Sequence, residues 1–128
     1  MRFGRRNALG AALGVLATPA LAQQGEWPAR PLRLVVAYPP GGSTDIVARL
    51  LAERLGRGLG QPVIVENRAG ASGTLGADSV AKAAPDGHTL LLGASSEMAI
   101  ARVTFRSLPY DAARDFAPIA RTSEQPFL

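Results

Sequence analysis

A cluster of small polar residues follows the first long apolar run of the chain. The run Leu32 to Ala37 leads into "YPPGGSTD", in which two prolines and two glycines precede Ser43, Thr44 and Asp45. Glycines let backbone N–H groups approach a ligand closely, and hydroxyls add hydrogen-bond donors. A helical apolar pattern starts directly afterwards, and the first turn of a helix has unpaired N–H groups and about half a positive charge. The pattern therefore predicts a site for a carboxylate or a phosphate.

Helix capping alone explains fewer residues of this loop than ligand contact does. A cap at Ser43 or Thr44, with Asp45 in the first turn, explains one hydroxyl and one acid but not the prolines and glycines. A Walker loop is not expected, because no lysine follows the glycines. A nucleophile elbow is not expected either, because Ser43 lies in "GGSTD" and not in G-x-S-x-G.

Two further polar loops follow predicted strands. "GASGTLG", Gly70 to Gly76, has the spacing G-x-x-G-x-x-G and is interpreted either as a flexible helix entry or as a second backbone contact to the same ligand. "GASSE" places Ser95 and Ser96 after another strand. Since ligands of parallel α/β sheets bind outside the carboxyl ends of the strands, these loops are predicted to face one crevice.

The elements that position these loops alternate along the chain. Short apolar runs predict four strands: Leu32 to Ala37, Pro62 to Glu66, His88 to Gly93 and Ala117 to Arg121. Helical spacing and small residues predict two helices, Thr44 to Leu55 and Thr74 to Ala84, and "ASSEMAIA" is predicted to be a loop that passes into a short third helix. The first helix has an apolar set at helical spacing: Ile46, Val47, Leu50, Leu51 and Leu55. This alternation predicts an α/β fold with a parallel sheet.

Catalytic and metal chemistry have little support in the sequence. His88 is the only histidine and follows "PDG" at the start of a strand, so we predict an exposed structural role at the opposite end of the sheet from the crevice. Without a second histidine or any cysteine, a transition-metal site is not expected, and a Ser-His-Asp triad would require His88 to cross the sheet. The acidic residues are interpreted as helix surface, caps and turns. We predict no catalytic residue, no metal and no cofactor.

The first 22 residues have the order of a signal peptide. Arg2, Arg5 and Arg6 precede the apolar run Ala8 to Ala17, and Ala20 to Ala22 forms an A-x-A cleavage site. The net charge of the whole chain is +4, but the remaining residues carry 11 basic and 10 acidic groups. Nucleic acid is therefore not an expected partner. Sec export and twin-arginine export both fit this segment.

Three stretches of the sequence resemble one protein family. These are "WPARPLRLVVAYPPGGSTDIVARLLAERL", "GQPVIVENRAGASGTLGADSVAKAAPDGHTLLLG" and "LPYDAARDFAPIA". They are similar to the substrate-binding proteins of tripartite tricarboxylate transporters, also called Bug receptors, over nearly all of residues 26–122. The resemblance implies a periplasmic protein with a two-lobed Venus-flytrap fold of type II that closes on a small carboxylate. In this family, backbone N–H groups, hydroxyls and bridging waters at helix starts hold the carboxylate.

The resemblance also implies site residues and partners for this chain. The implied ligand contacts are Tyr38, Gly42, Ser43, Thr44 and Asp45 in the first loop and, in the third loop, Ser95 and Ser96. Asp45 is expected to orient waters or the loop, because a bare carboxylate would repel an anionic ligand. The implied function is a monomeric receptor that delivers its ligand to membrane transporter subunits, without a catalytic step.

Family members are longer than this chain. We therefore expect residues 23–128 to form a partial first lobe, with the second lobe absent, and interpret the chain as a fragment of a receptor. A non-functional remnant is one alternative. An α/β enzyme that uses the Ser43 loop on an anionic substrate is another, but it would need a general base near Ser43, and the sequence offers none at that end of the sheet.

Overall fold

A computed structural model of the protein describes residues 26–124. The elements in chain order are β1 (Leu32–Val36), α1 (Ser43–Leu59), β2 (Val63–Asn67), α2 (Thr74–Ala81), β3 (Thr89–Leu92) and α3 (Ala101–Thr104). A 3₁₀ turn, Ala71–Gly73, precedes α2, and a π-helical turn, Ser96–Ile100, precedes α3. The predicted signal peptide, residues 1–22, and the closing residues 125–128 lie outside the described residues. Within residues 26–124, no helix has the length and apolar character needed to cross a membrane.

The three strands form one parallel sheet in the order β2-β1-β3. Val35 and Val36 of the central strand are both fully buried. Because successive side chains of a strand point to opposite faces, both faces of the sheet are covered around β1. The main apolar cluster consists of Leu34, Val36, Ala48, Ala52 and Leu92. The predicted α/β class with a parallel sheet is confirmed.

Helix α1 is longer than the sequence predicted. It continues past Leu55 to Leu59 and ends at Gly60, whose φ of 68° lies in the left-handed region. The Gly60 N–H donates to the Gly56 carbonyl oxygen at 3.1 Å, which closes the last turn. The glycines of "GRGLG" predicted the end of the helix one turn early, because glycine weakens a helix interior without ending it unless the backbone turns left-handed.

The buried side of α1 is rotated relative to the predicted one. The small residues Ala48 and Ala52 pack into the core, whereas Ile46 and Leu50 are more than half exposed. Small side chains allow the helix backbone to lie close to the sheet. The side of α1 with the alanines is therefore buried, although the larger apolar side chains lie on another side.

The predicted fourth strand, Ala117 to Arg121, is wrong for the described part of the chain. This stretch has no regular structure, and Ile119 is 81% exposed. A strand needs a neighbour to pair with, and Pro118 cannot donate a backbone hydrogen bond. The three remaining strands and the short third helix agree with the prediction to within a few residues at each end.

His88 is buried, contrary to the predicted exposure. It is 7% exposed and lies just before β3, at the amino edge of the sheet, where its carbonyl oxygen accepts a hydrogen bond from the Arg33 N–H. Its ring meets the Trp27 ring edge to face, with 6.0 Å between the ring centroids. Trp27 therefore covers His88 and anchors the start of the described chain. The contact joins residues that are distant in the sequence, so no local sequence pattern predicts it.

Candidate ligand-binding site

Helix α1 starts in the loop that the sequence singled out. Gly42 is its N-cap residue, and the Gly42 carbonyl oxygen accepts a hydrogen bond from the Ile46 N–H at 3.0 Å. No side chain caps the helix, so capping does not explain the hydroxyls of Ser43 and Thr44. Ser43 is exposed and Thr44 is half-buried. The hydroxyls and the N–H groups of the first turn are thus available to a ligand.

Asp45 holds this loop against the end of β2. Its side chain is buried, and the carboxylate accepts hydrogen bonds from the Gly41 N–H at 3.0 Å, from Asn67 Nδ2 at 2.9 Å and from Arg49 Nε at 2.9 Å. Asn67 Nδ2 also donates to the Tyr38 carbonyl oxygen at 3.1 Å. The Arg49 cation compensates the charge of Asp45, so Asp45 acts on the loop and does not face a ligand as a bare carboxylate.

The hydrogen bonds to Asp45 predict a defined pH dependence. Donation from Arg49, then from the Gly41 N–H and Asn67, lowers the pKa of Asp45 from 3.8 to about 2. A lowered pKa in the folded state gives stability that is fully present above the ordinary pKa and is lost as the pH falls toward 2. We expect Asp45→Asn to unfold more easily than the unmodified chain at pH 7, with the difference shrinking between pH 4 and pH 2. Urea unfolding at several pH values measures it, and a difference that stays constant would contradict the pairing.

Glu97 lies beside the predicted contacts Tyr38 and Ser96 but was not itself predicted from the sequence. It is fully buried, whereas the acidic residues were predicted to lie at surfaces, caps and turns. Its Oε2 accepts a hydrogen bond from the Tyr38 hydroxyl at 2.7 Å, and its Oε1 accepts one from the Ala94 N–H. The Tyr110 hydroxyl donates to the Glu97 carbonyl oxygen at 2.7 Å. Burial, followed by the hydrogen bond to Glu97, raises the pKa of Tyr38. The only sequence signal was an acid that opens the apolar stretch "MAIA".

The loop after β2 adopts a strained backbone and contacts Glu97. Four successive residues have positive φ: Gly70 (138°), Ala71 (47°), Ser72 (55°) and Gly73 (89°). Positive φ is uncommon for alanine and serine, and such strain persists only where the surroundings enforce it. A Cβ atom on Gly73 would lie 2.8 Å from Glu97 Oε2, so the second and third loops pack directly together.

The three loops therefore converge at the carboxyl edge of the sheet. Tyr38 after β1 contacts Glu97 after β3, and Asn67 at the end of β2 contacts Asp45 at the start of α1. Ser96 is half-buried and lowers the pKa of Tyr38, against the larger raising effects of burial and of Glu97, while Ser95 is exposed. Among the described residues, no group of three or more His, Cys, Asp or Glu side chains could hold a metal ion.

The amino-acid sequence of this chain matches a known family. The family sequence model described as "Tripartite tricarboxylate transporter family receptor" matches residues 47–128. The chain belongs to this receptor family. Protein BugT of Bordetella pertussis is 48% identical over 103 residues, which cover 80% of this chain and 32% of BugT. The chain spans about a third of the length of the curated relatives it matches.

Solved structures of similar proteins have the same fold. MatC from Rhodopseudomonas palustris, solved with bound malate, is 45% identical, with a TM-score of 0.72 over 75% of this chain and 33% of MatC. Rpa4515 of the same species, solved with adipate, is 42% identical, with a TM-score of 0.66 over 69% of this chain and 29% of that protein. The periplasmic binding protein BugD is 42% identical, with a TM-score of 0.69 over 73% of this chain and 31% of BugD. The periplasmic-binding-protein fold predicted for this chain is therefore confirmed for the part that the chain covers.

Proposed function

We propose that this chain is part of an exported receptor that binds a small carboxylate in the periplasm and delivers it to membrane transporter subunits. The observation that carries the proposal is the uncapped start of α1 at the carboxyl edge of the sheet. Exposed Ser43 and half-buried Thr44 lie there beside the unpaired N–H groups of the first turn. Such a helix start favours an anion without needing a lysine or arginine.

The ligand contacts of the proposal are the residues named from the resemblance. They are Tyr38, Gly42, Ser43, Thr44, Asp45, Ser95 and Ser96. Because its carboxylate is buried and paired, Asp45 contributes by holding the loop. The proposal includes no catalytic step: His88 lies before β3, at the edge of the sheet opposite to the three loops.

The proposal assigns residues 1–22 to a signal peptide and residues 23–128 to part of the first lobe of a monomeric receptor. In a two-lobed receptor, the second lobe supplies the other half of the crevice. Ligand sites usually enclose most of a small ligand, so one partial lobe should bind weakly. The carboxylates bound to MatC and Rpa4515, malate and adipate, support a small dicarboxylate as the ligand class.

Amide chemical shifts of the ¹⁵N-labelled chain test the proposal. Malate, adipate and citrate are titrated into the chain, with glucose as an uncharged control. We expect the amides of Gly42, Ser43 and Thr44 to shift with the carboxylates and not with glucose. The expected dissociation constant is about 1 mM or weaker, which corresponds to about 4 kcal/mol or less. Micromolar affinity would contradict the partial lobe, and shifts confined to the His88 edge would contradict the site.

A pair of serine variants locates the contact. Ser43→Ala removes a hydroxyl from the start of α1, and we expect it to weaken malate binding about tenfold, as for a hydrogen bond to a charged group. Ser107→Ala removes an exposed hydroxyl outside the three loops and should leave the affinity unchanged. Equal affinities of the two variants would remove Ser43 from the site.

A further inference from the structure

The buried Glu97 carboxylate has no cationic partner among the described residues. It accepts hydrogen bonds from the Tyr38 hydroxyl and the Ala94 N–H, and no arginine or lysine of residues 26–124 forms an ion pair with it. Asp45, by contrast, is paired with Arg49. Burying a carboxylate is costly unless its oxygens are hydrogen-bonded, so hydrogen-bond donors hold Glu97 in place.

The neighbouring loops leave space for this carboxylate. A Cβ atom on Gly73 would lie 2.8 Å from Glu97 Oε2, and one on Gly93 would lie 3.2 Å from Glu97 Oε1. Any side chain at either position would press on the carboxylate. Gly73 and Gly93 therefore leave the space that the Glu97 carboxylate occupies, in addition to allowing the turns of the backbone.

Glu97 fixes the direction of the hydrogen bonds at this edge. An ionised carboxylate only accepts, so the single hydroxyl hydrogen of Tyr38 points at Glu97. The Tyr38 oxygen then has only lone pairs left for a ligand. The start of α1 presents donors, and the Tyr38 hydroxyl oxygen presents an acceptor.

We propose that Glu97 is a positioning residue that makes the Tyr38 hydroxyl oxygen a hydrogen-bond acceptor, so that the site favours carboxylates with an adjacent hydroxyl or amino group. The inference rests on the proposed carboxylate-binding function and adds a ligand preference to it. The buried negative charge acts in the same direction, because it favours a hydrogen-bond donor and disfavours a second carboxylate at this point.

Tyrosine titration tests the orientation without any ligand. The chain has two tyrosines, so ¹³Cζ-tyrosine labelling gives two signals, and Tyr110→Phe assigns them. Glu97→Gln removes the negative charge beside Tyr38, and we expect the titration midpoint of Tyr38 to move to lower pH. Glu53→Gln, which changes an exposed glutamate of α1, should leave the midpoint unchanged. An unchanged midpoint in Glu97→Gln, with native amide shifts, would overturn the positioning role.

Two probe ligands that differ by one hydroxyl test the preference. Malate and succinate are titrated into the chain, and the amide shifts of Gly42 and Ser43 report binding. We expect the unmodified chain to bind malate at least about threefold more tightly than succinate, which is the lower range for one hydrogen bond. In Glu97→Gln and in Tyr38→Phe, the ratio of the succinate and malate dissociation constants should approach one. The double variant should lose no more of the malate preference than either single variant does, because the two residues act as one unit.

The outcomes separate the inference from the function on which it rests. A malate preference that survives both Glu97→Gln and Tyr38→Phe would overturn the inference while leaving carboxylate binding intact. If neither ligand shifts any amide, the proposed function fails and the ligand preference fails with it. In that case the tyrosine titration still decides whether Glu97 orients Tyr38. Tyr38→Phe retains the packing of the ring, so it serves as the second test if Glu97→Gln does not fold.

Discussion

Gly73→Ala is expected to destabilise the chain by about 2–4 kcal/mol, because backbone strain and crowding of a packed site add together. Gly73 has a φ of 89°, a conformation that residues with a Cβ atom rarely adopt. The new methyl group would lie 2.8 Å from Glu97 Oε2 and 3.3 Å from Glu97 Cβ. Glu97 is fully buried and hydrogen-bonded on both oxygens, so it cannot move aside freely. Urea unfolding of the variant and the unmodified chain measures the loss.

Gly41→Ala is the matched control for this prediction. Gly41 has the same φ of 89°, but a Cβ atom there meets nothing within 4 Å. We expect a loss of about 1–2 kcal/mol from backbone strain alone. The difference between the two variants measures the contact between the second loop and Glu97. Equal losses would contradict the packing of Gly73 on Glu97.

The overall fold could be predicted from local sequence signals. The run "LRLVV" is too short for a helix and rich in β-branched residues, and "PPGG" ends it, so β1 and the loop after it are found without any tertiary information. Repetition of such units predicts the parallel sheet and therefore the edge at which the loops meet. The largest error in the predicted bounds lies at the end of α1, where the left-handed turn of Gly60 and not glycine content ends the helix.

The hydrogen-bonded interior of the site could not be predicted in the same way. Ser43 and Thr44 were identified because their loop has a local signature. Glu97 and Asn67 have none, since their roles depend on Tyr38 and Asp45, which only the folded sheet brings near. The burial of His88 likewise depends on the Trp27 ring, which is distant in the sequence. Local patterns thus locate the loops, whereas partners distant in sequence determine which side chains can face a ligand.

Asn67→Asp is expected to destabilise the chain by about 1.5–3 kcal/mol at pH 7, the range for hydrogen bonds that involve a charged group. Asn67 Nδ2 donates to Asp45 Oδ1 at 2.9 Å and to the Tyr38 carbonyl oxygen at 3.1 Å. The aspartate has nearly the same shape but places a carboxylate oxygen where the donor was. Two carboxylates and a carbonyl would then face one another without a proton between them, so the pKa values of the carboxylate pair should rise.

The pH dependence and a swapped variant distinguish this repulsion from a loss of packing. Below about pH 5, one carboxyl group of the pair takes up a proton and donates a hydrogen bond, so the deficit of Asn67→Asp relative to the unmodified chain should shrink as the pH falls. The double variant Asp45→Asn/Asn67→Asp restores one acid and one amide that can bond to each other, and we expect it to recover part of the stability at pH 7. Recovery is partial because the Tyr38 carbonyl oxygen stays without its donor and Arg49 loses its ion pair. Urea unfolding at pH 4 and pH 7 measures both effects. A deficit that is independent of pH and persists in the double variant would contradict the hydrogen bond between Asn67 and Asp45 that joins β2 to the start of α1.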